Sequence, residues 1–204
     1  MAAFARPLSS FPARASLSTG LDVARGSIAE ILGQTSTGRT ALAQSMLATA
    51  TLGGAVAAWI DCHDAFDPAS AEKAGADLGK LLWVQCGHRL ETALRAADMV
   101  LHSGGFGLVV LDLCDVSAAA FQRVPLSYWY RIRRAVEPTP AILLILAREP
   151  VARSCATRQF DLGRERLEWR GLAPFQTIVR LESRAVSRRP AGAAPMKLEA
   201  LADS

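Results

Sequence analysis

Residues 26–40, GSIAEILGQTSTGRT, carry the residue types and the spacing of a phosphate-binding loop. An apolar run over residues 28–32 predicts a buried strand, after which Gly33, Gly38 and Thr40 match the pattern G-x-x-x-x-G-K-[ST]. In such a loop the backbone N–H groups and the start of the following helix point at phosphate oxygens. Arg39 stands at the lysine position of the pattern. The segment therefore predicts a phosphate site whose main cation has been changed.

Arginine at this position keeps the positive charge, but its planar guanidinium is not interchangeable with a compact ammonium. We therefore expect weakened phosphate binding and a larger loss of transfer chemistry. The Thr40 hydroxyl and Asp112, which ends an apolar strand, are the predicted Mg²⁺ ligands. No catalytic residue is predicted, and a Gly/Ser/Thr-rich turn that binds nothing is the alternative. The predicted nucleotide-binding residues are Gly33, Thr35, Ser36, Thr37, Gly38, Arg39, Thr40, Ala41 and Asp112.

Two other groups of residues could carry chemistry. Asp61, His63, Asp64 and Asp67 gather at the end of a second predicted strand, where solvated loop charges are a better interpretation than a metal site. Residues 128–134, YWYRIRR, mix aromatic and basic side chains. They either stack on nucleic-acid bases or form a helix that packs on the sheet with a solvated basic side. The cysteines Cys62, Cys86, Cys114 and Cys155 are interpreted as small buried side chains.

Composition bounds the possible classes of protein. The chain has 204 residues, half of them hydrophobic, which is enough for one sizeable core. No apolar run reaches the ~18 residues of a membrane span, and the N-terminus lacks the apolar segment of a secretory signal. The net charge of +4 is compatible with an acidic partner such as nucleic acid. We expect no membrane partner.

Strands and helices are predicted to alternate along most of the chain. Such alternation is typical of an α/β fold with a mostly parallel sheet and helices on both faces. Short alternating runs after Pro150, at residues 158–162, 167–170 and 178–181, predict an antiparallel C-terminal edge. The predicted domains are a flexible leader (1–20), a core (21–182) and a flexible tail (183–204) that could end in a short helix. The predicted strands are 26–32, 55–62, 81–86, 106–113 and 141–147, and the predicted helices are 38–52, 68–75, 89–103 and 124–137.

Residues 19–148 resemble the core of the RecA recombinase family. The loop at residues 33–40 is similar to that family's Walker A loop, residues 61–68 to its D-x-E-x-A-x-D-P stretch, and the strand ending at Asp112 to its Walker B strand. The resemblance implies a RecA-like P-loop NTPase core. It also implies ATP and Mg²⁺ as ligands, held weakly or vestigially, and it adds Asp67 to the nucleotide-binding residues.

Four positions depart from the family pattern. Arg39 replaces the Walker A lysine, His63 the catalytic glutamate, Ser70 the aromatic that stacks on adenine, and Arg148 the glutamine that senses the γ-phosphate. This pattern is similar to the ImuA-type subgroup, degenerate relatives that assist translesion DNA synthesis. That resemblance implies a polymerase-like translesion subunit, RecA recombinase and single-stranded DNA as partners, in the cytoplasm at the nucleoid.

Three functions follow as hypotheses. The first is a non-enzymatic accessory protein of the SOS damage response and translesion synthesis, which acts through protein contacts. The second is an active DNA-dependent ATPase and recombinase on single-stranded DNA. The third is an inhibitor that caps recombinase filaments.

Overall fold

The computed structural model describes residues 14–16, 21–170, 177–190 and 196–201. In chain order the strands are β1 (Arg14–Ser16), β2 (Asp22–Ala24), β3 (Ser27–Gly33), β4 (Val56–Asp61), β5 (Leu81–Gln85), β6 (Phe106–Asp112), β7 (Ile142–Ala147), β8 (Arg158–Arg170), β9 (Thr177–Arg189) and β10 (Met196–Leu201). The helices are α1 (Arg39–Leu52), α2 (Pro68–Lys73), α3 (Leu90–Ser103), α4 (Ala118–Phe121) and α5 (Leu126–Val136). Single 3₁₀ turns lie at Leu78–Lys80 and Arg153–Cys155.

Within the described residues the main sheet has the order β10-β9-β8-β3-β7-β6-β4-β5, and β1 pairs with β2 separately. The six strands from β8 to β5 in this order are mutually parallel, while β9 and β10 add an antiparallel edge. This confirms the predicted fold class. The five strands and four helices predicted up to residue 147 are all present. The strands were recognisable because continuous apolar runs are typical of strands buried on both faces.

Alternate residues of the central strand β3 divide the core into two layers. Ile28 and Leu32 pack in the layer formed by α3 and α5, whereas Ala29 and Ile31 pack in the layer formed by α1. This division follows from the period of two in a strand, which sends successive side chains to opposite faces. Helices therefore cover both faces, and the carboxyl ends of the parallel strands stay open at one edge of the sheet.

Glu30 is a buried carboxylate in the middle of β3 and is fully inaccessible to solvent. It accepts hydrogen bonds from the backbone N–H groups of Val151 (2.9 Å) and Ala152 (2.7 Å) and from Gln159 Nε2 (2.6 Å). Burial raises the pKa of Glu30, and these hydrogen bonds partly offset that shift. The carboxylate thus fixes the segment between β7 and β8 against the central strand.

The C-terminal edge differs from the prediction in two ways. The two runs predicted at residues 158–162 and 167–170 form one strand, β8, which pairs in parallel with β3 as well as antiparallel with β9. β3 ends at Gly33, opposite Leu162, while β8 continues to Arg170. Residues 163–170 and 177–184 therefore form an arm beyond the end of β3, and β10 pairs with residues 180–185 along its outer side. Residues 163–166 of the arm are exposed, so no buried face imposes a pattern on them.

The predicted tail is also corrected. β9 runs on through Arg189, so residues 183–189 belong to a paired strand, and the predicted core boundary at residue 182 falls inside it. The predicted terminal helix is wrong, because Met196–Leu201 pairs with β9 as β10. Most of the predicted leader, residues 1–13 and 17–20, lies outside the described residues.

The helices of the described part of the chain are too short or too polar to span a bilayer. The longest, α1 and α3, have 14 residues each. A spanning helix needs about 20 apolar residues.

Candidate functional site

A cavity of about 300 Å³ opens at the carboxyl edge of the sheet, between the β3–α1 loop and the ends of β4 and β6. Eight of the ten predicted nucleotide-binding residues line it. They are Thr35, Ser36, Thr37, Gly38, Arg39, Thr40, Ala41 and Asp112. The structure adds other lining residues that were not predicted to bind nucleotide, namely Asp61, His63, Ala65, Cys114, Asp115 and Leu181.

The two predicted residues outside the lining have structural positions. At Gly33 a Cβ atom would lie 2.6 Å from the backbone oxygen of Leu162, so only glycine lets β8 pass this close. Asp67 is the N-cap of α2 and accepts the backbone N–H groups of Ala69 and Ser70, each at 3.2 Å. The hydroxyl of Ser70 and these bonds lower the pKa of Asp67. Asp67 therefore supports a helix beside the cavity.

The loop itself holds a compact turn before α1. Gly38 has φ of 87° and Ser36 of 61°, both in the left-handed region. The Thr37 hydroxyl donates to the backbone oxygen of Gln34 at 2.8 Å, which closes the turn internally. α1 has no side-chain cap at its N-terminus, so its first N–H groups are available at the cavity, where they favour an anion.

Arg39 is the first residue of α1 and lines the cavity, yet it is only 6% exposed. Its Nη1 is buried and has no hydrogen-bond partner among the described residues. A buried donor left unsatisfied costs about 1–3 kcal/mol, and more when it is charged. Arg39 also lines the cavity, so its positive charge favours an anion there. The residues present therefore fit a phosphate group.

Asp112 ends β6 and is 8% exposed. It accepts the backbone N–H of Cys114 at 3.1 Å. Burial raises the pKa of Asp112, and the positive charge of Arg39 acts in the opposite direction. Thr40 and Asp112 line the same cavity, so the two predicted Mg²⁺ ligands are together. The described residues contain no group of three or more His, Cys, Asp or Glu that could hold a metal, so Mg²⁺ would need phosphate and water oxygens as further ligands.

Asp61 contradicts the interpretation of this loop as a set of solvated charges. It is 1% exposed and accepts the backbone N–H groups of Phe66 (2.7 Å), Ala65 (3.1 Å) and His63 (3.3 Å). A buried carboxylate that accepts several backbone N–H groups fixes the loop around it. Asp61 therefore shapes the wall of the cavity and presents His63 there, whose ring lies edge-on to that of His88 at 5.4 Å.

The side chain at the position of the γ-phosphate sensor is paired within the chain. Arg148 follows β7 and donates to the backbone oxygen of Cys114 at 3.1 Å and to Asp115 at 3.3 Å. Arg148 does not line the cavity, although Asp115 does. The ion pair thus joins the ends of β6 and β7.

The arm contributes a contact that no sequence motif signals. Ser183, on β9, is 3% exposed and donates its hydroxyl to the backbone oxygen of Thr37 at 2.8 Å. The side chain of Leu181 lines the cavity, and its Cδ2 lies 3.2 Å from where a Cβ on Gly38 would stand. Strand β9 therefore packs against the phosphate loop and stabilises it.

The remaining predictions concern packing. Cys62, Cys86 and Cys155 are buried as expected, and burial raises the pKa of the Cys62 thiol to about 12. The expectation is wrong for Cys114, which is only partly buried because it lines the cavity. Tyr128 and Trp129 are only 7% and 2% exposed, so the interpretation of residues 128–134 as a helix packed on the sheet is confirmed for them. Neither ring is available to stack on a base.

Comparisons with known proteins agree with this geometry. The RecA N-terminal domain family matches residues 9–123. Protein RecA of Clavibacter michiganensis is 43% identical over 102 residues, which are 47% of this chain and 28% of that protein. Protein RecA of Methylococcus capsulatus is 44% identical over 88 residues, which are 43% of this chain and 25% of that protein. The chain thus spans about a quarter of the length of these relatives.

A solved structure extends the likeness to the whole fold. The flagellar accessory protein FlaH from Methanocaldococcus jannaschii superposes with a TM-score of 0.58 at 14% identity, covering 91% of this chain and 93% of that chain. This similarity shows the fold alone. Because the family match covers more than half of the sequence, including the loop and the strand that ends at Asp112, the chain belongs to the RecA N-terminal domain family.

Proposed function

We propose that this chain is a non-catalytic RecA-like accessory protein of DNA repair, which holds nucleotide phosphates without hydrolysing them and acts through protein contacts. The observation that carries the proposal is Arg39, a buried cation whose Nη1 lacks a partner within the described residues and lies at a phosphate-loop cavity. RecA relatives support a nucleotide ligand in general terms.

Binding would use the loop backbone and Arg39 together. The N–H groups at the start of α1 would hold phosphate oxygens, and the guanidinium would pair with an outer phosphate through charge-assisted hydrogen bonds. Thr40 and Asp112 would hold Mg²⁺, which neutralises phosphate charge when bound. Because the planar guanidinium is not interchangeable with a compact ammonium, it would hold the outer phosphate in a different geometry from the family's lysine.

Hydrolysis needs a group that orients the attacking water. The carboxylates of the cavity are already engaged: Asp61 by three backbone N–H groups, Asp112 by Cys114 and Asp115 by Arg148. Carboxylate oxygens that are already engaged in this way are less available to orient an attacking water, which favours retention of the ligand over turnover.

The similarity to ImuA-type proteins supports a role in translesion DNA synthesis during the SOS damage response. The partners proposed on that basis are a polymerase-like translesion subunit and RecA recombinase, with single-stranded DNA as a further ligand. The proposed location is the cytoplasm, at the nucleoid.

A second function, an active ATPase, is favoured by one observation. His63 lines the cavity and is a titratable group at the position of the family's catalytic glutamate. A neutral imidazole there could accept a proton from water.

Calorimetry of ATP and Mg²⁺ binding, together with phosphate release, tests the proposal. We expect the wild type to bind without turnover, Arg39→Ala to bind at least about tenfold more weakly, and Arg134→Ala, an exposed arginine on α5, to bind like the wild type. Turnover that disappears in His63→Ala and Asp112→Asn would replace the proposal with the ATPase. Absence of binding in every variant would exclude the loop as a ligand site.

A further inference from the structure

A second concave surface lies on the face of the sheet covered by α3 and α5, apart from the phosphate loop. It is a groove of about 730 Å³ where the first turns of α3 and α5 meet α4 and the residues that follow it. We call it the helix groove. None of its lining residues lines the phosphate cavity. Its volume is within the range of sites that receive several side chains of a ligand.

The floor of the helix groove is apolar. Leu94 and Val124 are each 8% exposed, and Leu90, Ala120 and Pro125 complete the surface. A floor of short aliphatic groups favours aliphatic side chains of a partner, because each buried methylene contributes about 0.8 kcal/mol.

The rim of the groove is basic. Four arginines and a single glutamate, Glu91, are its charged lining residues. Arg131 pairs with Asp98 at 3.3 Å. Arg89, Arg95 and Arg123 are exposed, and no side-chain hydrogen bond or ion pair joins them to any other described residue. Their positive charge is therefore uncompensated inside the described part of the chain. In addition, α3 starts after Arg89 without a side-chain cap, so its first turn favours a negative group.

Single-stranded nucleic acid is the less suitable occupant of this groove. Its bases need exposed aromatic faces on which to stack. Tyr128 is the aromatic residue of the lining, and it is 7% exposed. Its hydroxyl donates to the backbone oxygen of Leu94 at 2.7 Å, and the guanidinium of Arg131 lies 5.3 Å from the ring centroid. The ring therefore has no open face for a base.

We infer that the helix groove docks an acidic amphipathic segment of a partner protein. The apolar face of that segment packs on Leu90, Leu94 and Val124, while its carboxylates pair with the arginines of the rim through charge-assisted bonds. The inference rests on the proposed function in one respect, since it gives the proposed protein contacts a location and a chemistry. It is independent of whether the phosphate loop holds a nucleotide.

Fluorescence anisotropy on the full chain tests this inference. The probe is a labelled synthetic helix with leucines on one face and glutamates on the other, and the comparison probes are the same helix with lysines for the glutamates and a labelled oligothymidylate. We expect the acidic helix to bind and the basic helix not to bind. The double reversal Arg89→Glu with Arg123→Glu should weaken binding at least about tenfold.

Arg134→Glu is the matched control, because Arg134 is exposed on α5 but outside the groove. It should change the affinity by less than about twofold. Since Arg89 and Arg123 are exposed and have no partner within the described residues, the double variant should keep the circular dichroism spectrum of the wild type. If it does not, Leu90→Ser and the Arg89→Ala with Arg123→Ala pair replace it.

Failure of the acidic helix to bind at the groove, or a preference of the groove for nucleic acid, would overturn the inference. The first is seen as binding of the acidic helix that the groove variants leave unchanged, or as no binding of it at all. The second is seen as tighter binding of the oligothymidylate that the same reversals abolish, which would assign the groove to nucleic acid. Nucleotide titration of each variant shows separately whether the phosphate loop still functions, so failure here is distinguishable from failure of the proposed function.

Discussion

Glu30 and Arg39 are two buried charges nine residues apart, one in β3 and one at the start of α1, and their surroundings differ. Glu30 is inaccessible and meets three hydrogen-bond donors, all from within the described chain. Arg39 is 6% exposed, yet its Nη1 meets no acceptor there. A satisfied buried charge holds a fold together, whereas an unsatisfied one at a cavity is available to a ligand. The difference distinguishes the structural role of the central strand β3 from the binding role of the start of α1.

The largest expected effect is on the structural side of this comparison. Glu30→Ala leaves the donors of Val151, Ala152 and Gln159 buried without an acceptor, so it should lower the free energy of unfolding by about 3–5 kcal/mol. Urea unfolding measures this loss. Glu91→Ala, on the exposed start of α3, is the control and should change the value by less than about 0.5 kcal/mol. A small loss in Glu30→Ala would remove the distinction between the two sites.

Arg39→Ala should behave in the opposite way. It removes a buried donor that lacks a partner, so the ligand-free protein should keep its unfolding free energy within about 1 kcal/mol or become more stable. Its ATP affinity should nevertheless fall by about 2 kcal/mol, or roughly thirtyfold. Thermal unfolding with and without ATP gives both quantities. A destabilisation as large as that of Glu30→Ala would mean that Arg39 is structural.

The pH dependence of stability sharpens the comparison further. Because burial raises the pKa of Glu30 above its ordinary value of 4.5, the folded chain keeps a proton that the unfolded chain has lost. The folded state then binds more protons, so stability should fall as the pH rises from about 4.5 through the folded pKa. Each unit of that shift corresponds to about 1.4 kcal/mol.

Glu30→Gln removes this titration while keeping an acceptor for Val151 and Ala152. Urea unfolding of both proteins across the same pH range should show the falling slope in the wild type alone. An identical slope in Glu30→Gln would assign the titration to other groups.

The smallest expected effect concerns the arm. Ser183→Ala removes the hydrogen bond to the Thr37 oxygen, so it should lower the unfolding free energy by about 1 kcal/mol and also weaken ATP binding. Ser187→Ala is the matched control, because Ser187 also lies on β9 and donates to the Pro190 oxygen at 2.8 Å, away from the loop. It should cost similar stability and leave ATP affinity unchanged. Equal affinities in both variants would show that the arm does not support the loop.

The parallel part of the fold followed from the sequence because most of its strands are buried on both faces. Short continuous apolar runs such as residues 142–147 are typical of such strands. Within the arm, the alternating runs at residues 167–170 and 178–181 were predicted as strands, but residues 163–166 were not, because they are exposed and their order is set by pairing with β9. Residues 196–201 did offer a signal: Met196, Leu198 and Ala200 alternate with polar residues, the period of a strand.

The candidate site was predicted where a motif describes it and missed where it depends on distant segments. The spacing of Gly33, Gly38 and Thr40 located the loop, and the end of an apolar strand located Asp112. Nothing local indicates that Ser183, 146 residues from Thr37, donates to the loop. The burial of Asp61 was likewise hidden, since a carboxylate at a strand end can be solvated or can bind the backbone of its own loop.

The hydrogen bond between Ser183 and Thr37 also matters for how deletion experiments on this chain are interpreted. A fragment that stops at residue 182 retains all six parallel strands but loses the hydroxyl that holds the Thr37 oxygen. If such a fragment no longer bound a partner, there would be two explanations. The fragment could lack the C-terminal epitope, or its phosphate loop could have lost the support of Ser183. Fragments that map an epitope should therefore keep β9 through Arg189, so that the removal of sequence is not confused with the removal of a support.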